Sequence, residues 1–219
     1  FEPRRSGAPT DRSLDDLRAT RSVDGIRGDV RYVSLNAIGD ADHKTLLTAG
    51  EGGRMTDVHS AQRVGVLADS QNLYHTAQSL YSRNIDYSAL LEEAVRDRSL
   101  VRAIAYVIRA DSPEEESFFE ALRDIGFETK IKDIKTFADG SKKADWDVGM
   151  SLDAVTLANH IDTMVLVTGD GDGARLCSHL RHAGVRVEAM GFASSTADEL
   201  VEAADEFVDL SEREDRYLL

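Results

Sequence analysis

Four aspartates carry the chemistry that this sequence offers: Asp69, Asp147, Asp170 and Asp172. Asp170 and Asp172 stand in DTMVLVTGDGDGAR, residues 162 to 175, where an apolar run from Met164 to Val167 leads into Thr168, a Gly-rich loop and a helix beginning near Gly173. A buried parallel strand entering such a loop delivers its carboxylates to the strand's carboxyl end, where open α/β sheets place ligands. Asp69 ends the run Val64 to Ala68 in RVGVLADSQN, and Asp147 lies in KKADWDVGM at the opening of another helical stretch. Brought together, hard oxygen donors of this kind hold a divalent cation, and a cation so held serves phosphodiester chemistry.

Each of these residues also has a structural reading. Asp69 is placed to cap the helix that follows it, and Asn72 is either a turn residue or an aid in positioning substrate. Asp145 is a natural N-cap, whereas Asp147, in the first turn, is favoured by the helix dipole and can be turned toward a site. Asp153, six residues further on, is rotated by about 240° and cannot share a face with Asp147. Lys143 is a solvated charge or a phosphate contact. Gly-Asp-Gly-Asp-Gly is ordinary turn composition, and Asp172 is as good a helix cap as a ligand.

Competing chemistries fit less well. Gly169, Gly171 and Ala174 satisfy Gly-x-Gly-x-x-Ala, but two carboxylates would face the pyrophosphate of a dinucleotide, and the loop opens a late βα unit. A calcium loop counted from Asp170 reaches Arg181 at its twelfth position, where a bidentate Glu is required. His179 and His182 lack partners at zinc spacing, and neither a phosphate-binding P-loop nor a Gly-x-Ser-x-Gly elbow is present. Cys177 is the single cysteine, which excludes an intrachain disulfide and is compatible with a reducing, cytoplasmic setting.

The elements that must position the aspartates are legible from Arg63 onward, where short apolar runs alternate with longer helical segments, the pattern of βαβ units and a mainly parallel sheet. Strands are expected at 64–68, 101–108, 128–131, 164–167 and 185–190, and an edge strand at 206–209. Helices are expected at 73–82, 87–95, 113–125, 146–158, 174–183 and 197–204, with Gly126 and Gly184 as C-terminal caps. Asp139-Gly140 marks a small hairpin within 132–143. Residues 1–60, rich in Gly, Asp, Arg and Ser, read as a mostly irregular extension with one strand-like run, VRYVSLNAI, that covers a sheet edge or binds a partner or a second copy. A domain over 61–212 and a charged tail over 213–219 complete the organisation.

With 219 residues, 42% of them hydrophobic, the chain builds one core and an appendage. No apolar run is long enough to span a bilayer. The opening FEPRRSGAPTDRS has neither an initiator Met nor the apolar centre of a secretory signal, and it says nothing of targeting. The net charge of −14 argues at first sight against a nucleic-acid partner. Metal ions in an acidic pocket can supply positive charge locally. A basic complement dominated by Arg with few Lys suits a protein working in high salt.

From about Arg63 to Leu210 the chain resembles the NYN domains, in their LabA-like branch, which belong with the PIN-like nucleases. The matching pieces are the strand ending in Asp69 with Asn72 three residues on, the segment Lys143 to Asp147 followed by Val148, the strand followed by Thr-Gly-Asp-Gly-Asp, and the closing GVRVEAMGF and TADELVEAADEFVDL. The resemblance implies a three-layer α/β/α fold with a five- to six-stranded sheet, and carboxylates that bind Mg²⁺ or Mn²⁺ and cut RNA. By position, Asp69, Asp147, Asp170 and Asp172 become the metal-binding cluster, supported by Asn72 and Thr168. The sequence departs from the family at Gly173, where members commonly carry Phe, which predicts looser packing under the loop. The alternative is a non-catalytic scaffold that keeps the fold and acts through protein contacts.

Overall fold

In a computed structural model the described residues are 60–109, 114–136, 142–143 and 145–219, with the side chains at 114, 135, 136, 142 and 143 left aside. The strand-like run expected at 30–38 and the turn at Asp139-Gly140 lie outside them.

The chain forms β1 (Arg63–Asp69), α1 (Ser70–Tyr81), α2 (Tyr87–Val95), β2 (Ser99–Arg109), α3 (Glu114–Ile125) and β3 (Glu128–Asp133). A small antiparallel pair, β4 (Lys135–Thr136) and β5 (Lys142–Lys143), precedes α4 (Asp147–Leu157). Then come β6 (Thr163–Val167), α5 (Gly173–His182), β7 (Arg186–Gly191), α6 (Asp198–Ala203), β8 (Glu206–Asp209) and α7 (Glu214–Tyr217). Six strands make one sheet in the order β3-β2-β1-β6-β7-β8, and every neighbouring pair is parallel.

This order fixes where a ligand can sit. The chain steps outward from β1 through β2 to β3, then returns to the other side of β1 with β6 and steps outward again. The order therefore reverses between β1 and β6, and the crevice at their carboxyl ends is the topological switch point. Because parallel crossovers keep one hand, helices joining strands on the two sides fall on opposite faces. Residues alternate accordingly: Val64, Val66, Ala68, Val165 and Val167 pack with α1, α2 and α3, while Leu67, Met164 and Leu166 pack with α4, α5 and α6.

Two boundaries differ from expectation with clear causes. α1 begins at Ser70 rather than near Leu73, because Asp69 itself caps it. The last residues do not trail off as a charged tail: Tyr217 and Leu218 are buried in the core, and Leu218 bridges to Ile85. Gly126 and Gly184 terminate their helices with φ of 118° and 87°, values that favour glycine. In each case the following N–H, of Phe127 or Val185, bonds back to a leucine carbonyl of the last turn at 3.0 Å.

Candidate active site at the switch point

Asp69 occupies the end of β1 and does two things at once. Its Oδ1 accepts the backbone N–H groups of Gln71 and Asn72, each at 3.1 Å, so it is the N-cap of α1. Burial also holds its carboxyl above the ordinary carboxylate range; the two backbone bonds pull it down, and the charges of Asp147 and Asp170 push it further up. Capping and membership of a carboxylate cluster, two readings of one residue, therefore coexist.

Asp170 stands in a loop tied down by hydrogen bonds on several sides. Thr168, fully buried, donates its N–H to Met190 at the end of β7, and its Oγ1 accepts the Asp170 N–H at 3.2 Å. Asn72 reaches across from α1, and its Oδ1 accepts the Gly169 N–H at 2.9 Å. The Gly169 carbonyl accepts the N–H of Ala197, just before α6. Asp170 Oδ1 in turn accepts the Asp172 N–H at 3.0 Å, an Asx turn that leads the chain into α5.

The glycines of this loop serve close approach. A Cβ on Gly169 would lie 2.9 Å from the Ser195 carbonyl oxygen, and one on Gly171 would lie 2.5 Å from Glu199 Oε1 and 3.0 Å from the Ala197 Cβ. The looser packing expected at Gly173 is overturned: Gly173 is buried, and a Cβ there would meet Leu200 Cδ1 at 3.3 Å. Leu200, itself fully buried, fills the space.

Asp147 is the first residue of α4. The N-cap position belongs to Trp146 rather than to the expected Asp145. Trp146 donates its Nε1–H to the Val107 carbonyl at 3.0 Å, which fastens the start of α4 to the end of β2. Its ring lies so close over Gly149 that a Cβ there would fall 2.7 Å from Cε3. Lys132 Nζ sits 5.1 Å from the ring centroid and donates to the Asp145 carbonyl. Sequence reasoning did not single out Trp146 or Lys132; the signal was a lone Trp beside the acid with Gly three residues on.

The structure thus brings Asp147 and Asp170 close enough to Asp69 for the charge of each to raise its carboxyl. Asp172 stands apart, exposed and without a side-chain cap bond although it occupies the N-cap position of α5. Lys143 lies in β5, and its side chain is outside the description. Asp153 faces elsewhere, accepting from Lys130 Nζ and the Tyr106 hydroxyl at 2.7 Å each; burial raises its carboxyl, but these bonds prevail and hold it below the ordinary range. His179 and His182 are exposed, and Cys177 is buried with its thiol pushed up to about 11 by burial. Among the described residues, no group of three or more His, Cys, Asp or Glu is placed to hold a metal ion. Nor is any helix of the described residues long and apolar enough to cross a membrane.

Known proteins are similar to this chain in sequence and fold. The profile of the NYN domain matches residues 63–211. Low amplitude and bright protein LabA of Synechococcus elongatus is 26% identical over 161 residues, which cover 68% of this chain and 84% of that protein. A crystal structure of a protein of unknown function from Vibrio parahaemolyticus superposes with a TM-score of 0.68 at 34% identity, over 75% of this chain and all of that one.

Proposed function

The chain belongs to the NYN domain family, and from that premise we propose that it is a Mg²⁺- or Mn²⁺-dependent ribonuclease that hydrolyses phosphodiester bonds in single-stranded RNA. The observation that carries this reading is Asp69 at the switch point, whose carboxyl is raised first by burial and then by the charges of Asp147 and Asp170. Negative charge beside Asp69 disfavours its ionised form, and a divalent cation relieves that cost.

The donor set suits the ion. All donors are hard carboxylate oxygens, and Mg²⁺ is commonly held by one or two carboxylates, several waters and the substrate's phosphate, so three direct protein ligands are not required. Asp69, Asp147 and Asp170 would hold it, with Asp172 at the exposed lip of the loop as a further acid. When bound, such an ion neutralises charge on the scissile phosphate and lowers the pKa of the attacking water. The chain's own contribution is orientation. Asn72 and Thr168 fix the loop that presents Asp170, Trp146 fixes the helix that presents Asp147, and Lys143 is assigned to a phosphate contact.

The test is cleavage of single-stranded RNA in Mn²⁺ by the parent and by Asp170→Asn. The parent should cut and the variant should lose at least about 10²-fold in rate, the scale on which electrostatic groups at a reacting centre act. Equal cleavage by the two proteins would refute the assignment. A second reading, a non-catalytic scaffold with this fold, draws on the spacing of the acids and the outward position of Asp172. It requires that neither protein cut and that Mn²⁺ leave the melting temperature unchanged.

A further inference from the structure

The chain holds six Lys, and five of them, Lys130, Lys132, Lys135, Lys142 and Lys143, lie between residues 130 and 143, where the only carboxylates are those of Asp133 and Asp139. β3 carries the first two, β4 and β5 the others. β3 is the edge strand two places from β1, about 10 Å away, and the register runs from Asp69 through Tyr106 to Lys130, so Lys132 lies just beyond the level of Asp69. These charges differ in their surroundings. Lys130 is paired with Asp153, both of whose carboxylate oxygens lie 2.7 Å from its Nζ. Lys132, on the same face of β3, donates instead to the Asp145 carbonyl, a neutral acceptor two residues before Asp147. Arg109, at the end of β2, is 3.7 Å from both Glu116 and Asp133. In the small antiparallel pair the register sets Lys135 opposite Lys143. Like charges so opposed weaken a strand pair, and a bound anion offsets that cost. Lysines on an edge strand also discourage pairing with another chain, which accounts for Lys130 and Lys132 but not for the lysines of β4 and β5.

We propose that Lys132, Lys135, Lys142 and Lys143 form a phosphate-binding edge that holds the RNA strand beside the carboxylate site. The inference rests on the ribonuclease reading for its ligand, and it extends that reading from one assigned contact, Lys143, to a track running from β5 and the Asp147 end of α4 outward to the carboxyl end of β3. Charge selects the partner. The net charge of −14 repels a polyanion from the chain as a whole, and the carboxylates of the site repel a bare phosphodiester most directly. Attraction must therefore come from a local excess of cations next to the site, and residues 130–143 supply one. Lys contacts to phosphate position a strand without reading its sequence, so this edge sets where RNA lies rather than which RNA is taken.

The experiment is fluorescence anisotropy of a labelled single-stranded oligouridylate titrated with the full chain in EDTA, between about 0.05 M and 0.2 M salt, so that binding is read apart from cutting. The parent should show a slope of log affinity against log salt of about −2 to −3, as expected for three or four phosphates neutralised on a single strand. The double variant Lys142→Gln, Lys143→Gln should flatten the slope by about 1.4 and weaken binding about 10-fold at the lower salt, equally for oligoadenylate. Lys44→Gln removes a like charge outside the cluster and should change neither quantity, and unchanged melting temperatures verify folding. A parent that binds no oligonucleotide overturns the proposal, including the case in which these lysines meet an acidic protein. A double variant with the parent's slope, or one matched by Lys44→Gln, overturns it equally. The ribonuclease reading fails separately: a parent that binds through these lysines yet leaves RNA uncut in Mn²⁺ keeps the edge and loses the activity.

Discussion

Asn72 Oδ1 accepts the Gly169 N–H at 2.9 Å, joining the first turn of α1 to the loop after β6 across the switch point. The bond couples the element capped by Asp69 to the loop that carries Asp170, so two acids distant in sequence are held by one amide. Replacing Asn72 with Ala leaves the Gly169 N–H without that acceptor, a loss of about 1–3 kcal/mol for a buried donor. Urea denaturation should show this destabilisation, and RNA cleavage should fall with it. Asn72→Asp keeps the acceptor and should lose less stability, while adding charge beside Asp69 and Asp170.

Asp69→Asn separates capping from charge. Asn caps a helix about as well as Asp, so the variant keeps the bonds to Gln71 and Asn72 and removes a half-buried carboxylate. An acid whose folded pKa is raised contributes stability that is fully present below its unfolded value, about 3.9, and lost as pH rises through the folded value. The variant should therefore melt higher than the parent in metal-free neutral buffer, and this advantage should shrink as the pH falls into the carboxylate range. Thermal melts between pH 4 and pH 8 check the sign. Mn²⁺ should stabilise the parent and not the variant.

Gly169→Ala drives a Cβ to 2.9 Å from the Ser195 carbonyl oxygen, a backbone atom that cannot swing aside. Overpacking of this kind costs about 1–3 kcal/mol. Gly173→Ala meets only the end of Leu200 at 3.3 Å and gains helix propensity, so its melting temperature should stay near the parent's.

At the opposite end of the sheet, Arg98 and Glu188 form a buried two-pronged pair at 2.8 and 2.9 Å, with Arg98 also donating to the Ala94 and Val95 carbonyls. Glu188→Ala strands a buried guanidinium and should cost about 3–5 kcal/mol. Equilibrium unfolding measures the loss. The double replacement Arg98→Met, Glu188→Leu should recover much of it.

Trp146→Phe keeps the ring over Gly149 but removes the Nε1–H bond to Val107. A net loss of about 1 kcal/mol in stability is expected. Cleavage should suffer more than stability does, because Asp147 then hangs on a looser helix start. Comparing urea midpoints with single-turnover rates separates the two effects.

Much of this was written in residue pattern. Alternation of apolar runs with helical segments, and the acids after Ala68 and Val167, mark the strands and their functional ends, because burial on both faces and a period of 3.6 are local demands. The order of the strands is a long-range matter. That β6 returns beside β1, so that Asp69 and Asp170 share a crevice, follows from packing both faces of the sheet and cannot be read from either segment alone. The same holds for the choice between functions at one residue. Local rules made Asp172 a cap or a ligand and Asp145 a cap, yet Asp172 is exposed without capping, and Trp146, anchored to Val107, takes the N-cap place. Loop glycines looked like turn formers, but Gly169 and Gly171 are there because Ser195, Ala197 and Glu199 press against them from a segment about 25 residues away. Sequence specified which groups could do chemistry; only tertiary packing decided which of them meet.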